Sequence, residues 1–262
     1  MLATGGTIAC RQTGHGLAPA LTGEELLEFI PELKHICKVT VLNPMSVDST
    51  DMTAEHRLRI ARVIWDNRDG YDGFVITHGT DTLAYTAALF SHVLRAFGKP
   101  VILTGAQRPM GAEESDAEGN LLGAFRSINA PADGIINNMG KVIINHRPEC
   151  VGEPAFIENV DASVVLMKLT PDLDPTIIDF LGRYNKVIIE GFGSGGVPTR
   201  LEKVVQKLIL SGTRVYLTTQ CLSGGADLHK YKVGRRAEAM GAVCLGDRTT
   251  EDALAAVMCG EL

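Results

Sequence analysis

Two turns rich in threonine and glycine carry the residue types that could do chemistry: Leu2-Ala3-Thr4-Gly5-Gly6-Thr7-Ile8-Ala9 and Ile76-Thr77-His78-Gly79-Thr80-Asp81-Thr82. Each follows an apolar stretch, so each can offer hydroxyls beyond the carboxyl end of a strand. A threonine alcohol is a weak nucleophile until a neighbouring base removes its proton, and acyl transfer also needs donors for the developing oxyanion. Thr80-Asp81-Thr82 sets a hydroxyl, a carboxylate and a second hydroxyl ahead of a helical apolar stripe, where the first N–H groups and the dipole favour negative charge. Asp81 suits two duties there, starting a proton relay or gripping an ammonium group. One such threonine alone would be an ordinary cap. Two such turns, with Gly79 permitting close backbone approach, ask for more. A phosphate cradle at Thr4-Gly5-Gly6-Thr7 competes as a reading, but neither the G-x-G-x-x-G nor the G-x-x-x-x-G-K-[ST] spacing is present.

The elements that must position these turns alternate strand and helix. Thr22 and Glu25 form a capping box ahead of Leu26, Leu27, Phe29 and Ile30. Val39–Leu42 reads as a strand, and Thr53 can cap a helix carrying Leu58, Ala61, Ile64 and Trp65. A strand at Phe74–Thr77, a helix over 83–97 ended by Gly98, and a strand at Pro100–Thr104 follow. After an irregular middle from about Ala130 to Asn159, strands at 164–167, 187–189 and 215–217 alternate with helices near 176–182, 201–210 and 251–258. This pattern predicts an α/β fold with parallel sheets in two domains, 1–159 and a smaller 160–262. Ligands in such sheets bind beyond the carboxyl ends of the strands.

Composition narrows the function classes. The 262 residues, 45% apolar, can bury a large core. A net charge of −6 without clustered Lys and Arg excludes a dedicated nucleic-acid or anionic-membrane surface. Six scattered cysteines without a Cys-x-x-Cys pair predict free thiols in a reducing, cytoplasmic setting rather than a disulfide framework or a metal site. No apolar run approaches the ~20 residues of a membrane span. Little strand precedes Thr4, which predicts a longer natural N-terminus.

The two threonine segments together closely resemble the signature segments of the bacterial-type L-asparaginase/glutaminase family, asparaginase I-like. Asp48-Ser49-Thr50-Asp51-Met52 resembles its substrate-binding turn, Val101–Pro109 its strand and turn after the Thr-Asp helix, and Gly191-Phe192-Gly193-Ser194-Gly195-Gly196-Val197-Pro198 its C-terminal glycine turn. The resemblance implies cofactor-free hydrolysis of the side-chain amide of L-asparagine to aspartate and ammonia, by two α/β domains whose sites form between paired subunits of a homodimer or homotetramer. It assigns Thr4 as nucleophile and Thr80 as the second catalytic threonine, with Asp81 serving the relay or the substrate ammonium. Asp48, Ser49 and Thr50 then hold the charged groups of the amino acid, Ala106 approaches the scissile amide, and the turn at Thr80 supplies oxyanion donors. Asparagine and glutamine differ by one methylene, worth only ~1–3 kcal/mol of discrimination, and residue types leave that choice open.

Departures from the family pattern are equally specific. The loop Arg11–Pro19 has no Tyr to activate the first threonine; Leu17 takes the matching place, and His15 is the available substitute. Gly196 stands where relatives carry Asn, and no Glu matches the acid that some relatives supply from the neighbouring subunit. The family bears its catalytic Lys on a segment between two motifs that abut here, Gly119–Ala124 and Phe125–Pro131. Lys99, Lys141 and Lys168 all lie in the wrong context. The abutment predicts skipped residues, visible as a Cα step far beyond about 3.8 Å within 120–130. The contrary expectation is true loss of the segment, and with it an amino-acid-binding or regulatory protein without turnover.

Overall fold

In the computed structural model, residues 1–14, 16–128, 135–136, 142–143 and 152–262 are described. They divide into two units, Met1–Glu158 and Asn159–Leu262.

The first unit begins with β1 (Leu2–Ala3), a hairpin of β2 (Cys10–Thr13) and β3 (Gly16–Pro19), and α1 (Gly23–Glu28). Helix α1 starts on the capping box: Glu25 N donates to Thr22 Oγ1 at 3.2 Å, and Thr22 N donates to the Glu25 carboxylate at 2.7 Å. Thr53 and His56 cap α2 (Ala54–Asp66) in the same reciprocal way. Then come β4 (Phe74–Thr77), α3 (Leu83–Val93), β5 (Leu94–Arg95), β6 (Val101–Thr104), α4 (Ala117–Ile128), the paired β7 (Ile135–Ile136) and β8 (Val142–Ile143), and β9 (Ala155–Phe156). Strands β1, β4 and β6 form a parallel sheet with β4 central. All four residues of β4 are buried, as a central strand covered on both faces requires. One face packs Ala3, Ile8 and Val75 against Leu26, Leu121, Ala124 and Phe125.

Two expected elements differ. Val39–Leu42 contributes only an isolated parallel bridge between Leu42 and Leu2, because β1 offers two residues to pair with. The helix expected over 83–97 ends at Val93. Leu94–Arg95 instead pairs antiparallel with Ala155–Phe156, and Ala96 adopts a left-handed φ of 46°. Phe97 is drawn onto the rings of Trp65 and Phe74, with centroids 6.2 and 5.8 Å apart, contacts a continuing helix would not reach.

The second unit is a four-stranded parallel sheet, β10 (Val165–Lys168), β11 (Lys186–Gly191), β12 (Arg214–Thr219) and β13 (Val243–Cys244), in sequential order. Helices α5 (Pro175–Phe180), α6 (Thr199–Leu210), α7 (Lys232–Ala239) and α8 (Thr250–Met258) accompany it. The period-2 alternation of β11 and β12 sorts the core: Val187, Ile189, Val215 and Leu217 pack with Ile178, Val205, Leu208 and Ala237, while Ile188 and Tyr216 pack with Ala253 and Val257. Each buried Val, Leu or Ile side chain among them contributes roughly 1.5–3 kcal/mol. Helix α7 and strand β13 lie outside the expected elements. Among the described residues no helix is long and apolar enough to cross a membrane.

Candidate active site

Register brings the chemistry together. Ala3, Thr77 and Thr104 are neighbours across β1, β4 and β6, so the three strands end flush and release turns 4–7, 78–82 and 105–110 side by side. A methyl group on Gly6 would lie 2.5 Å from the Gly79 Cα and overlap its nitrogen, and one on Gly105 would lie 2.5 Å from the His78 carbonyl oxygen and 3.2 Å from Thr80 Cγ2. Glycine is required at Gly6 on two counts, since its φ is 82°. Met110 N donates to Ile8 O at 3.2 Å, tying the third turn to the first. The 48–52 turn joins through Val47 N to Thr4 O at 3.0 Å.

Thr4, assigned as the nucleophile by resemblance, is 1% exposed, and its hydroxyl donates to Thr77 O at 2.7 Å. That corrects the assignment. The hydroxyl stitches β1 to β4 and is out of reach of a ligand. Thr7, two glycines on, opens a short 3-10 helix over Thr7–Ala9, is only half-buried, and its hydroxyl has no hydrogen bond among the described residues. Sequence reasoning passed it over; the signal available was that Thr4 continues the strand while Thr7 follows the glycine pair.

Thr80 is half-buried and its hydroxyl is likewise unpartnered among the described residues. Asp81 is exposed and accepts from Ser49 Oγ at 3.2 Å, while Thr82 Oγ1 donates to Ser49 O at 2.8 Å. Ser49, 3% exposed, packs directly on Gly79. Neither the 3-10 turn Thr80–Thr82 nor α3 has a side-chain cap, so its leading N–H groups are open to an oxyanion or carboxylate. Asp48 is exposed, and its Oδ1 accepts both the N–H (2.9 Å) and the hydroxyl (2.8 Å) of Thr50, the cause of its lowered pKa. Asp48 and Thr50 thereby shape their turn for Ser49. Ala106 is 2% exposed, beside Gly105.

His78 is fully buried beneath this cluster. Its Nδ1 lies 2.7 Å from Gly79 O and must carry a proton to donate there, so Nε2 accepts from the Thr86 hydroxyl at 2.9 Å. Burial lowers its pKa; the Gly79 carbonyl opposes this, and Arg57 adds to it. The imidazole is a neutral strut under the Thr80 turn.

His15 and Lys141 lie outside the described residues. Lys99 donates to the carbonyls of Arg68 and Tyr71, holding the short turn that follows α2. Lys168 belongs to the second unit and faces Glu190 at 3.6 Å. Leu17 is 49% exposed. Helix α4 runs unbroken through Gly119–Ala124 and Phe125–Ile128, so the expected long Cα step is not found there; the abutting motifs are one helix, which buries Leu121, Ala124 and Phe125 together.

The Asparaginase family model (Asparaginase, N-terminal) matches residues 1–147, and the Glutaminase/Asparaginase C-terminal domain model matches residues 163–260. The chain belongs to the asparaginase family. The asparaginase similarity extends to the L-asparaginase of Thermococcus kodakarensis, 34% identical over 98% of this chain and 90% of the relative. It extends also to a glutamyl-tRNA(Gln) amidotransferase subunit of Pyrococcus furiosus, 32% identical over 98% of this chain and 70% of the relative. The solved thermostable L-asparaginase from Thermococcus kodakarensis matches with a TM-score of 0.87 at 33% identity over 99% of this chain and 91% of its own. L-asparaginase I from Vibrio cholerae matches at 0.83 with 26% identity over 99% and 91%. The first match spans 300 residues against 262 in this chain, so the asparaginase relative carries several tens of residues with no counterpart here.

Proposed function

We propose that this amidohydrolase-family chain hydrolyses the side-chain amide of L-asparagine to L-aspartate and ammonia, working as a homo-oligomer. The observation that supports the reading is the backbone contact of Gly6 with Gly79, which adjoin Thr7 and Thr80, two residues whose hydroxyls have no partner among the described residues. Thr7 Oγ attacks the amide carbon, its proton passing through the Thr80–Asp81 relay to the leaving nitrogen. Uncapped N–H groups at Thr80 and Asp81 stabilise the tetrahedral oxyanion. Water then attacks the acyl-threonine, aspartate leaves, and Thr7 recovers its proton. Ser49 and Asp81 hold the α-carboxylate and α-ammonium. Ammonia release by the full chain, measured with asparagine and with glutamine, tests this: activity abolished by Thr7→Ala and by Thr80→Ala supports it, and turnover surviving both removes it.

A second reading, an amino-acid-binding protein without turnover, is favoured by one observation, the unbroken α4 where the family resemblance leads one to expect a lysine-bearing segment. Calorimetric binding of asparagine with no ammonia released would select it.

A further inference from the structure

Asp116 is a carboxylate that the mechanism above leaves unused. Both of its oxygens receive the Gln107 N–H at 3.0 Å, Oδ1 also receives the Arg108 N–H at 3.0 Å, and Oδ2 receives the side-chain amide of Asn120 at 2.9 Å. Asn120, largely buried, uses the same nitrogen to reach the Gly105 carbonyl at 2.9 Å. The start of α4 thus grips the main chain at 105, 107 and 108. At one end of the gripped turn Gly105 lies against His78 O and Thr80 Cγ2, and at the other Met110 N bonds Ile8 O, one residue beyond Thr7. The turn touches both threonine-bearing turns.

We propose that Asp116, supported by Asn120, is a positioning residue for amide hydrolysis: it fixes turn 105–110 as the spacer that sets Thr7 against Thr80. The proposal rests on the amidohydrolase reading. The turn borders the reacting hydroxyls rather than the Ser49–Asp81 pair that grips the amino acid, so the effect falls on kcat more than on KM. Donors face both oxygens of the carboxylate, so an amide at 116 keeps one acceptor and turns its NH2 group against an N–H donor.

The test compares Asp116→Asn, Asn120→Ala and Glu114→Gln in the full chain, the last breaking only the exposed 2.9 Å ion pair with Arg108 on the same turn. For Asp116→Asn, kcat per folded molecule falls about 30-fold or more with KM within about threefold, the scale of a misplacement approaching 1 Å. Asn120→Ala lowers kcat less, and Glu114→Gln matches the parent. Equal kcat in the parent and Asp116→Asn overturns the proposal, as does a loss that vanishes once the folded fraction from circular dichroism is counted. Should Asp116→Asn not fold, Asn120→Ala decides by the same split. If the parent itself releases no ammonia, the hydrolase reading has failed and the positioning role falls with it, whereas a parent that turns over with an unaffected Asp116→Asn overturns the positioning role alone.

Discussion

Gly6 and Gly79, far apart in sequence, are in direct backbone contact, and that contact is what holds the two threonine turns at one level. Gly6→Ala places a methyl group where the Gly79 peptide already lies, at a φ of 82°. Backbone strain of about 1–3 kcal/mol, plus a similar overlap term, is the expected loss of stability. Urea unfolding should report it, together with loss of ammonia release.

Thr4 and Thr7 should separate cleanly. Thr4→Val removes the 2.7 Å bond to Thr77 O and costs about 1 kcal/mol of stability while turnover persists. Thr7→Val leaves stability within about 0.5 kcal/mol and abolishes turnover, since no described contact of its hydroxyl is lost. Denaturant midpoints beside initial rates decide between these outcomes.

Ser49→Ala removes the hydroxyl that donates to Asp81 at 3.2 Å. Hydrogen bonds to charged groups contribute about 1.5–3 kcal/mol, so KM for asparagine should rise about tenfold or more with kcat little changed. An unchanged KM would take the 49–81 pair out of substrate binding.

The buried His78 makes stability pH-dependent. Its folded pKa lies below the ordinary 6.5, so below that value the unfolded chain binds the extra proton first. Its contribution is present above 6.5 and lost as pH falls toward the depressed folded value. Stability should therefore fall as pH drops below about 6.5 in the parent, and fall less in His78→Gln. Equal slopes in the two proteins would refute this.

Much of this architecture was legible from patterns. The capping box at Thr22, the cap at Thr53, the buried run Phe74–Thr77 and the strands around 187–189 and 215–217 are local signals, and the structure reproduces them within a residue or two. Signals that depend on a distant partner were not legible. Leu94–Arg95 is strand only because Ala155–Phe156 pairs with it, and Val39–Val41 is not strand because β1 is short. At the site, Thr80 and Asp81 stood out by type and Ser49 only by the family resemblance, and which threonine of the first turn is sequestered depends on the Ala3–Thr77 register, a tertiary fact. Asp116 reads from sequence as one more acidic residue before a helix; its partners on the turn are peptide groups, which leave no trace in residue types.

Because Asp116 holds Gln107 by its peptide nitrogen, the exposed Gln107 side chain is uncoupled from the shape of the loop, whereas the Arg108 guanidinium also binds the Glu113 carbonyl at 3.1 Å and the Glu114 carboxylate at 2.9 Å. The fold therefore leaves one outward position, Gln107, where a side chain can be exchanged while the main-chain frame beneath it keeps its place.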